Sequence, residues 1–166
     1  MVPEQSFKLI TNWWLSSVYT LPITVSIIVI QWIVGLWEFQ LINKKVINIY
    51  YGVLYHVMLK KERLDKYISR LIYVLTKPED VTRRDVSRLW ALHKKHTKPQ
   101  KHIIVLLSLF KSYKPELVPE KIQSVNVESA WSPVPEALQI MFQAVKARSE
   151  GQQTRDSDSK TFDWNA

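Results

Sequence analysis

Three histidines lie close together in the segment "HKKHTKPQKH", residues 93–102. His93 and His96 are three residues apart, a spacing that places two imidazoles on one face of a helix, as in many zinc sites. His102 follows shortly after, beyond a proline. The four lysines of the segment would repel a cation, and it contains no cysteine or carboxylate that could complete a coordination shell. We therefore expect no metal site here and predict that the histidines extend a basic surface.

Acidic residues that could act as a general acid and base occur as two pairs. Glu62 and Asp65 lie at a predicted helix start, where negative charge interacts favourably with the helix dipole. Glu79 and Asp80 fall in a predicted turn. The chain has no cysteine, and no serine follows the strand–turn–helix pattern of a hydrolase nucleophile. The residues thus predict a protein that is not an enzyme and needs no cofactor.

Positive charge is concentrated between residues 40 and 101, where fifteen Lys and Arg residues occur with five Asp and Glu residues. This excess favours an acidic partner, which could be nucleic acid, an acidic protein surface or anionic lipid; the alternative is a solvated helical face. The candidate contact residues are Arg83, Arg84, Arg88, Lys94, Lys95, Lys98 and Lys101. Of these, Arg84, Arg88 and Lys95 fall near one helical face. No sequence-reading motif accompanies them, so any DNA contact would be non-specific and salt-sensitive.

Apolar residues recur at helical spacing in segments such as "LDKYISRLIYVLT" and "KHIIVLLSLFKSY". Predicted helices start near residues 3, 22, 43, 64, 82, 99 and 133, with Thr20, Asn43 and Thr82 as capping residues and Pro99 opening a helix. Pairs of such helices recur about every 40 residues, as in HEAT repeats. We predict an all-α, HEAT-like stack of antiparallel helix pairs (an α-solenoid) over residues 1–150. A linker at 114–132 precedes the last helix, and a disordered polar tail occupies 151–166.

The segment "TLPITVSIIVIQWIVGLWEF", residues 20–39, contains a single charged residue. A membrane span needs about 20 apolar residues, which this segment nearly supplies. Pro22, Thr24 and Ser26 interrupt it, and the apolar faces of the later helices need a packing partner, so a buried helix is favoured. A single-span membrane protein with a basic cytosolic helical domain is the alternative. The tryptophans predicted to pack between helices are Trp13, Trp14, Trp32 and Trp37.

The order of five segments resembles the N-terminal helical-repeat region of the centromere protein I family, which are inner-kinetochore subunits. These segments are "VIQWIVGLWEF", "LINKKVINIYYGVLYHVM", "ISRLIYVLTKPEDVTRRDVSRLWALHKK", "HIIVLLSLFKSYKPELV" and "ALQIMFQAVKARSEG". The resemblance extends from about Lys8 to Gly151 and consists of colinear packing patterns rather than a catalytic signature. Because family members are much longer, we expect this chain to be a fragment or a truncated form.

The resemblance implies a non-enzymatic scaffold of the constitutive centromere-associated network, located at the kinetochore in the nucleus. Family members associate with centromere proteins H, K and M, close to centromeric DNA, and support kinetochore assembly and deposition of the centromeric histone. The helical region is the part that engages the H–K pair. The resemblance disfavours a membrane location.

Overall fold

The computed structural model describes the backbone of residues 2–163 and the side chains of residues 2–154. Over this range the chain forms eight α-helices and no strand, which confirms the predicted all-α class. The helices are α1 (Glu4–Ser17), α2 (Ile23–Glu38), α3 (Lys44–Asn48), α4 (Tyr51–Lys60), α5 (Asp65–Leu75), α6 (Arg83–Lys95), α7 (Lys101–Tyr113) and α8 (Glu136–Asp163). Short 3₁₀ turns occur at Pro78–Asp80, Pro115–Leu117 and Val127–Ser129.

Helix α5 lies at the centre of the fold and packs against α2, α3, α4 and α7. Its apolar stripe of Ile68, Leu71, Ile72 and Leu75 is buried, as the helical spacing predicts. Helix α7 contacts both α5 and α6 and is buried continuously from His102 to Leu107. The core therefore lies between successive helices along the chain, with α5 and α7 each packed on more than one neighbour.

Two of the predicted helix caps are confirmed. The Asn43 side chain accepts a hydrogen bond from the Lys45 N–H at 2.9 Å, and the Thr82 hydroxyl accepts one from the Asp85 N–H at 3.2 Å. These bonds satisfy backbone donors that have no partner within the first helical turn. The same side chains therefore fix where α3 and α6 begin.

The starts predicted near residues 22 and 99 lie within two residues of the observed ones, but the predicted capping residue Thr20 and opening residue Pro99 differ from those in the structure. The N-cap of α2 is Pro22, not Thr20. The Thr20 hydroxyl instead donates a hydrogen bond to the Ser17 carbonyl at 3.0 Å. Helix α7 begins at Lys101, after Gln100 rather than at Pro99. Pro22 and Gln100 have extended backbones, with ψ 142° and 125°, and each is the last residue before its helix.

The segment predicted as one helix from residue 43 is broken into α3 and α4. At the break, Tyr50 has φ −93° and ψ 5°, and its N–H donates to the Ile47 carbonyl at 3.0 Å. This i to i−3 bond tightens the chain before α4 starts. As a result α3 and α4 make separate contacts with α5.

The apolar segment at residues 20–39 forms α2, a helix of 16 residues with seven buried positions. Helix α2 packs against α5 and α8. Across the described part of the chain, no helix is both long enough and apolar enough to cross a membrane. The membrane alternative is therefore unsupported, and α2 is the buried core helix that the sequence favoured.

The segment between α7 and α8 is packed onto the helices, although it contains little regular structure. Val118, Ala130 and Val134 are buried. The Trp131 indole donates to the Ser69 hydroxyl at 2.8 Å, and its ring lies 5.4 Å from that of Tyr73. The predicted linker is therefore a fixed part of the fold.

Helix α8 continues through Gly151 to Asp163. The disordered tail at 151–166 stays a prediction, and its last three residues lie outside the described part of the chain. Gly151 destabilises a helix by only about 1 kcal/mol relative to alanine, and a glutamine-containing polar stretch surrounds it. Glycine was therefore a weak signal for a helix end here. The domain boundary at residue 150 stays a prediction.

Candidate protein-interaction site

The basic residues of α6 are distributed over two faces of the helix. Arg84, Arg88, Ala91 and Lys95 follow one another at spacings of four, three and four residues, which places them along a single stripe. Arg84, Ala91 and Lys95 are exposed and Arg88 is half-buried. The structure thus brings together the three basic residues that the sequence assigned to one face.

A shallow groove lies between this stripe and α4. It is lined by Leu59 and Lys60 of α4 and by Arg88, Ala91, Leu92 and Lys95 of α6. The floor is apolar and the edges are basic. This combination was not visible in the sequence, because α4 and α6 are separated by the whole of α5.

A hydrogen-bonded network holds the two helices at this spacing. The Tyr55 hydroxyl donates to the Asp85 carbonyl at 2.6 Å, and Arg88 Nη2 lies 3.2 Å from His56 Nδ1. Burial raises the pKa of the Tyr55 hydroxyl well above its usual value, so it remains a donor across the physiological range. His56 is exposed and contacts Arg88, which makes it a surface residue of α4 rather than a core residue.

Two carboxylates pair with the basic stripe. Arg88 Nη1 lies 3.9 Å from Asp85 Oδ1, and Lys95 forms an ion pair with Glu62. The hydrogen bond and the positive charge of Lys95 lower the pKa of Glu62. Both pairs are at least partly exposed, so each contributes little to folding and remains available for exchange with a partner's charges.

The remaining predicted contact residues lie elsewhere. Arg83 lines a separate recess with Trp90 and Leu117, and the Lys94 ammonium lies 5.5 Å from the centroid of the Trp90 ring. Lys98 and Lys101 are exposed in and after the loop that joins α6 to α7. Among the residues with described side chains, Lys60, Arg83, Arg84, Lys98 and Lys101 make no ion pair. Their role in binding stays a prediction.

The structure places the four tryptophans in three environments. Trp14 is fully buried, and its indole donates to the buried Ser26 hydroxyl at 3.1 Å. Trp32 is half-buried and stacks on Phe7 with 5.8 Å between ring centroids, and Trp37 is half-buried against the core. Trp13 is 51% exposed on the outer face of α1.

The histidines of the loop region do not extend the basic surface as predicted. His102 is buried, and its Nε2 lies 3.4 Å from Asp65 Oδ2; His96 Nε2 lies 3.8 Å from the same oxygen. Asp65 is itself buried at the start of α5. The correction arises because α5 and α7 pack together, which brings a carboxylate to histidines more than thirty positions away. Over the described residues, no group of His, Cys, Asp or Glu side chains could hold a metal ion.

In the second pair of carboxylates, Asp80 has a structural role. Asp80 Oδ2 accepts a hydrogen bond from the Lys77 N–H at 2.9 Å and so closes the turn that precedes α6. Glu79 lies exposed in the same turn.

Sequence reasoning missed several apolar residues that the fold leaves exposed. Leu9 on α1 is 73% exposed, and Ile49 and Val53 beside α4 are 62% and 48% exposed. Helical spacing alone gives no warning, because Ile49 and Val53 are four residues apart, a spacing that is also typical of a buried stripe. Such residues on a folded surface are candidates for contact with a partner.

The fold and this surface define an all-α protein with a surface groove that has basic edges and an apolar floor. The Mis6 (CENP-I) family model matches residues 1–161. The chain belongs to the centromere protein I family.

Three curated relatives, each named centromere protein I, are similar to the chain. Identity is 29% over 149 residues for Gallus gallus, 33% over 127 residues for Rattus norvegicus and 31% over 119 residues for Mus musculus. The alignments cover 86%, 73% and 68% of this chain, but only 19%, 16% and 16% of the relatives. The chain therefore spans less than a fifth of the length of the relatives it matches.

Proposed function

We propose that this chain is a helical scaffold module of the inner kinetochore, which binds centromere proteins H, K and M and supports kinetochore assembly and deposition of the centromeric histone. The observation that supports it most is the family match over residues 1–161, which is nearly the whole chain. The implied location is the nucleus, at centromeres. Because the chain spans a small part of its relatives, the proposal concerns this module and not the activity of a whole relative.

The described surface suits a scaffold better than an enzyme. Carboxylates such as Asp80 and Glu62 are engaged in a turn and an ion pair, while apolar side chains of α1 and α4 face outward. A groove with an apolar floor accepts a helix through side-chain packing, which is a common mode of peptide recognition. We also propose that consecutive helix pairs stack as in HEAT repeats, which is consistent with the contacts of α4 with α5 and of α6 with α7.

Co-expression tests this function directly. We expect the chain to co-elute with centromere proteins H and K in size-exclusion chromatography, at an elution volume smaller than that of either component. A matched sample carrying an unrelated all-α domain of similar mass controls for non-specific association. Separate elution of the chain and the H–K pair would remove the partner assignment.

Localisation gives a second test of the same proposal. A fluorescent fusion of the full 166-residue chain is expected to form foci that coincide with the centromeric histone. A uniform nuclear signal in cells that express the H–K pair normally would contradict the proposed location.

A further inference from the structure

One exposed stripe runs along α4 towards the groove. Val53, His56 and Lys60 of α4 are spaced three and four residues apart, and Ile49 lies in the turn just before α4; all four are exposed. The stripe changes in character along its length, from apolar at Ile49 and Val53 to polar at His56 and Lys60. Since His56 contacts Arg88 of α6 and Lys60 lines the groove, the stripe is continuous with it.

The floor of the groove is suited to side-chain packing. Leu59 is half-buried, Leu92 is buried and Ala91 is exposed between them. Alanine is the smallest residue that keeps full helix propensity, so it leaves room for an incoming side chain without weakening α6. A phosphate backbone would gain nothing from this apolar floor, whereas an amphipathic helix would bury its own apolar face there.

The edges of the groove are positively charged. Lys60 lines the groove, and Arg84 lies on the α6 stripe one helical turn before Arg88, beyond the lining residues. Neither makes an ion pair among the residues with described side chains. Arg88 and Lys95 pair with Asp85 and Glu62, respectively. Lys60 in the groove and Arg84 at the end of the α6 stripe are thus left to attract carboxylates of a partner, while Arg88 and Lys95 already pair with carboxylates of this chain.

From this apolar floor and these basic edges, we propose that the α4–α6 groove binds an acidic amphipathic helix of a partner protein. Apolar residues of that helix, three and four positions apart, pack on Leu59, Ala91 and Leu92. Its flanking Asp and Glu side chains pair with Lys60 and Arg84. The proposal deepens the proposed function by giving the site and chemistry of one partner contact, and it rests on that function for the partner's kinetochore identity.

A synthetic helix tests the chemistry of the groove without a natural partner. The probe is a fluorescein-labelled peptide of about five helical turns, with leucines at i, i+3, i+4 and i+7 and glutamates on both flanks. Its binding to the full chain is measured by fluorescence anisotropy at low and high salt. We expect saturable binding that weakens as salt screens the glutamates.

Two substitutions on the α6 stripe and one matched control show where the peptide binds. Arg84→Glu reverses charge on the α6 stripe one helical turn before Arg88, and Ala91→Glu places a carboxylate on the floor of the groove. Both positions are exposed, so neither should disturb the core. We expect each to weaken binding about tenfold, because like charges oppose one another across a docked surface. Arg83→Glu makes the same charge change one residue away, but at the separate recess beside Trp90 rather than on the α6 stripe, and should change the affinity less than about twofold.

The outcomes separate the groove from the function. A peptide with the same composition in scrambled order should bind weakly. Equal affinity of the chain for both peptides would overturn the proposal. Equal losses of peptide affinity in all three variants would overturn it as well. Binding of a DNA duplex without binding of the peptide would also overturn it, in favour of phosphate contact. Co-elution with the H–K pair that survives Arg84→Glu and Ala91→Glu removes the groove and leaves the proposed function standing. If the peptide binds in the groove but the chain does not co-elute with the H–K pair, the groove proposal stands and the proposed function is removed.

Discussion

Gly35 of α2 lies directly under the ring of Phe142 of α8. A Cβ atom at position 35 would come within 2.6 Å of Phe142 Cζ and would overlap the ring edge. Phe142 is buried and stacks on Phe39 with 5.6 Å between ring centroids, so the ring has little room to move. The absence of a side chain at Gly35 is therefore what allows α8 to dock on α2.

Gly35→Ala should lower the free energy of unfolding by about 1–2 kcal/mol, because overpacking at Phe142 outweighs the better helix propensity of alanine. Urea denaturation followed by far-UV circular dichroism measures this change. Gly52→Ala is the matched control, since a Cβ at Gly52 meets nothing within 4 Å. That variant should be more stable by about 0.5–1 kcal/mol. Equal behaviour of the two variants would contradict the docking role of Gly35.

Gln40→Gly should stabilise the protein. Gln40 has φ 56°, in the left-handed region, and ends α2 with its N–H bonded to the Trp37 carbonyl at 3.1 Å. The next N–H, of Leu41, bonds to the Leu36 carbonyl at 2.9 Å, which completes a Schellman motif in which glycine is preferred. We expect a gain of about 0.5–1 kcal/mol, measured by thermal denaturation. Gln40→Ala should give no gain, and a similar gain for alanine would exclude backbone strain as the reason.

Ser26→Ala should destabilise the interface between α1 and α2. The Trp14 indole N–H is fully buried, and its partner is the Ser26 hydroxyl. A buried donor left without a partner costs about 1–3 kcal/mol. Chemical denaturation measures the loss, with Ser16→Ala, at an exposed serine of α1, as the control. The additional change Trp14→Phe should cost less in the Ser26→Ala background than in the natural chain; full additivity would refute the coupling.

Tyr51 makes stability depend on pH in the alkaline range. Burial is the main cause that raises the pKa of Tyr51 to about 12, from an ordinary value of 10.0. Because the folded-state pKa is the higher one, the stabilising effect is complete below pH 10 and is lost as pH rises through about 12.

Tyr51→Phe should therefore reduce the fall in unfolding free energy between about pH 10 and pH 12. It should cost about 1 kcal/mol at neutral pH, because the Tyr51 hydroxyl bonds to Thr76 Oγ1 at 2.9 Å. Denaturation at a series of pH values measures both effects. Tyr19→Phe, at a tyrosine that is 56% exposed, is the control. An unchanged alkaline slope in Tyr51→Phe would contradict the assignment.

Local rules predicted much of the helical framework. Thr82 is a cap because its hydroxyl reaches an N–H three residues ahead, and no distant residue is needed for that bond. The buried stripe of α5 likewise follows from spacing within one helix. The fit of Phe142 on Gly35 and the approach of His102 to Asp65 depend on how helices pack. No local pattern contains that information.

The candidate site was predictable only in part, for the same reason. Helical spacing predicted that Arg84, Arg88 and Lys95 lie together, because all three belong to one helix. Their apolar counterpart, Leu59, comes from α4 and is placed by the intervening α5. The pattern of charge in the sequence therefore predicted the basic residues of α6, whereas the α4 side of the groove follows only from tertiary packing.

The contact between Trp131 and Ser69 has a consequence for a cut chain. The backbone around Lys121 is exposed, with Gln123 and Ser124 nearby also open to solvent. Cleavage there by trypsin would sever the polypeptide. The contacts of Trp131 with Ser69 of α5 and of Phe142 with Gly35 of α2 would still hold the C-terminal piece to the remainder. The nicked molecule should migrate as one particle under native conditions and as two bands in detergent.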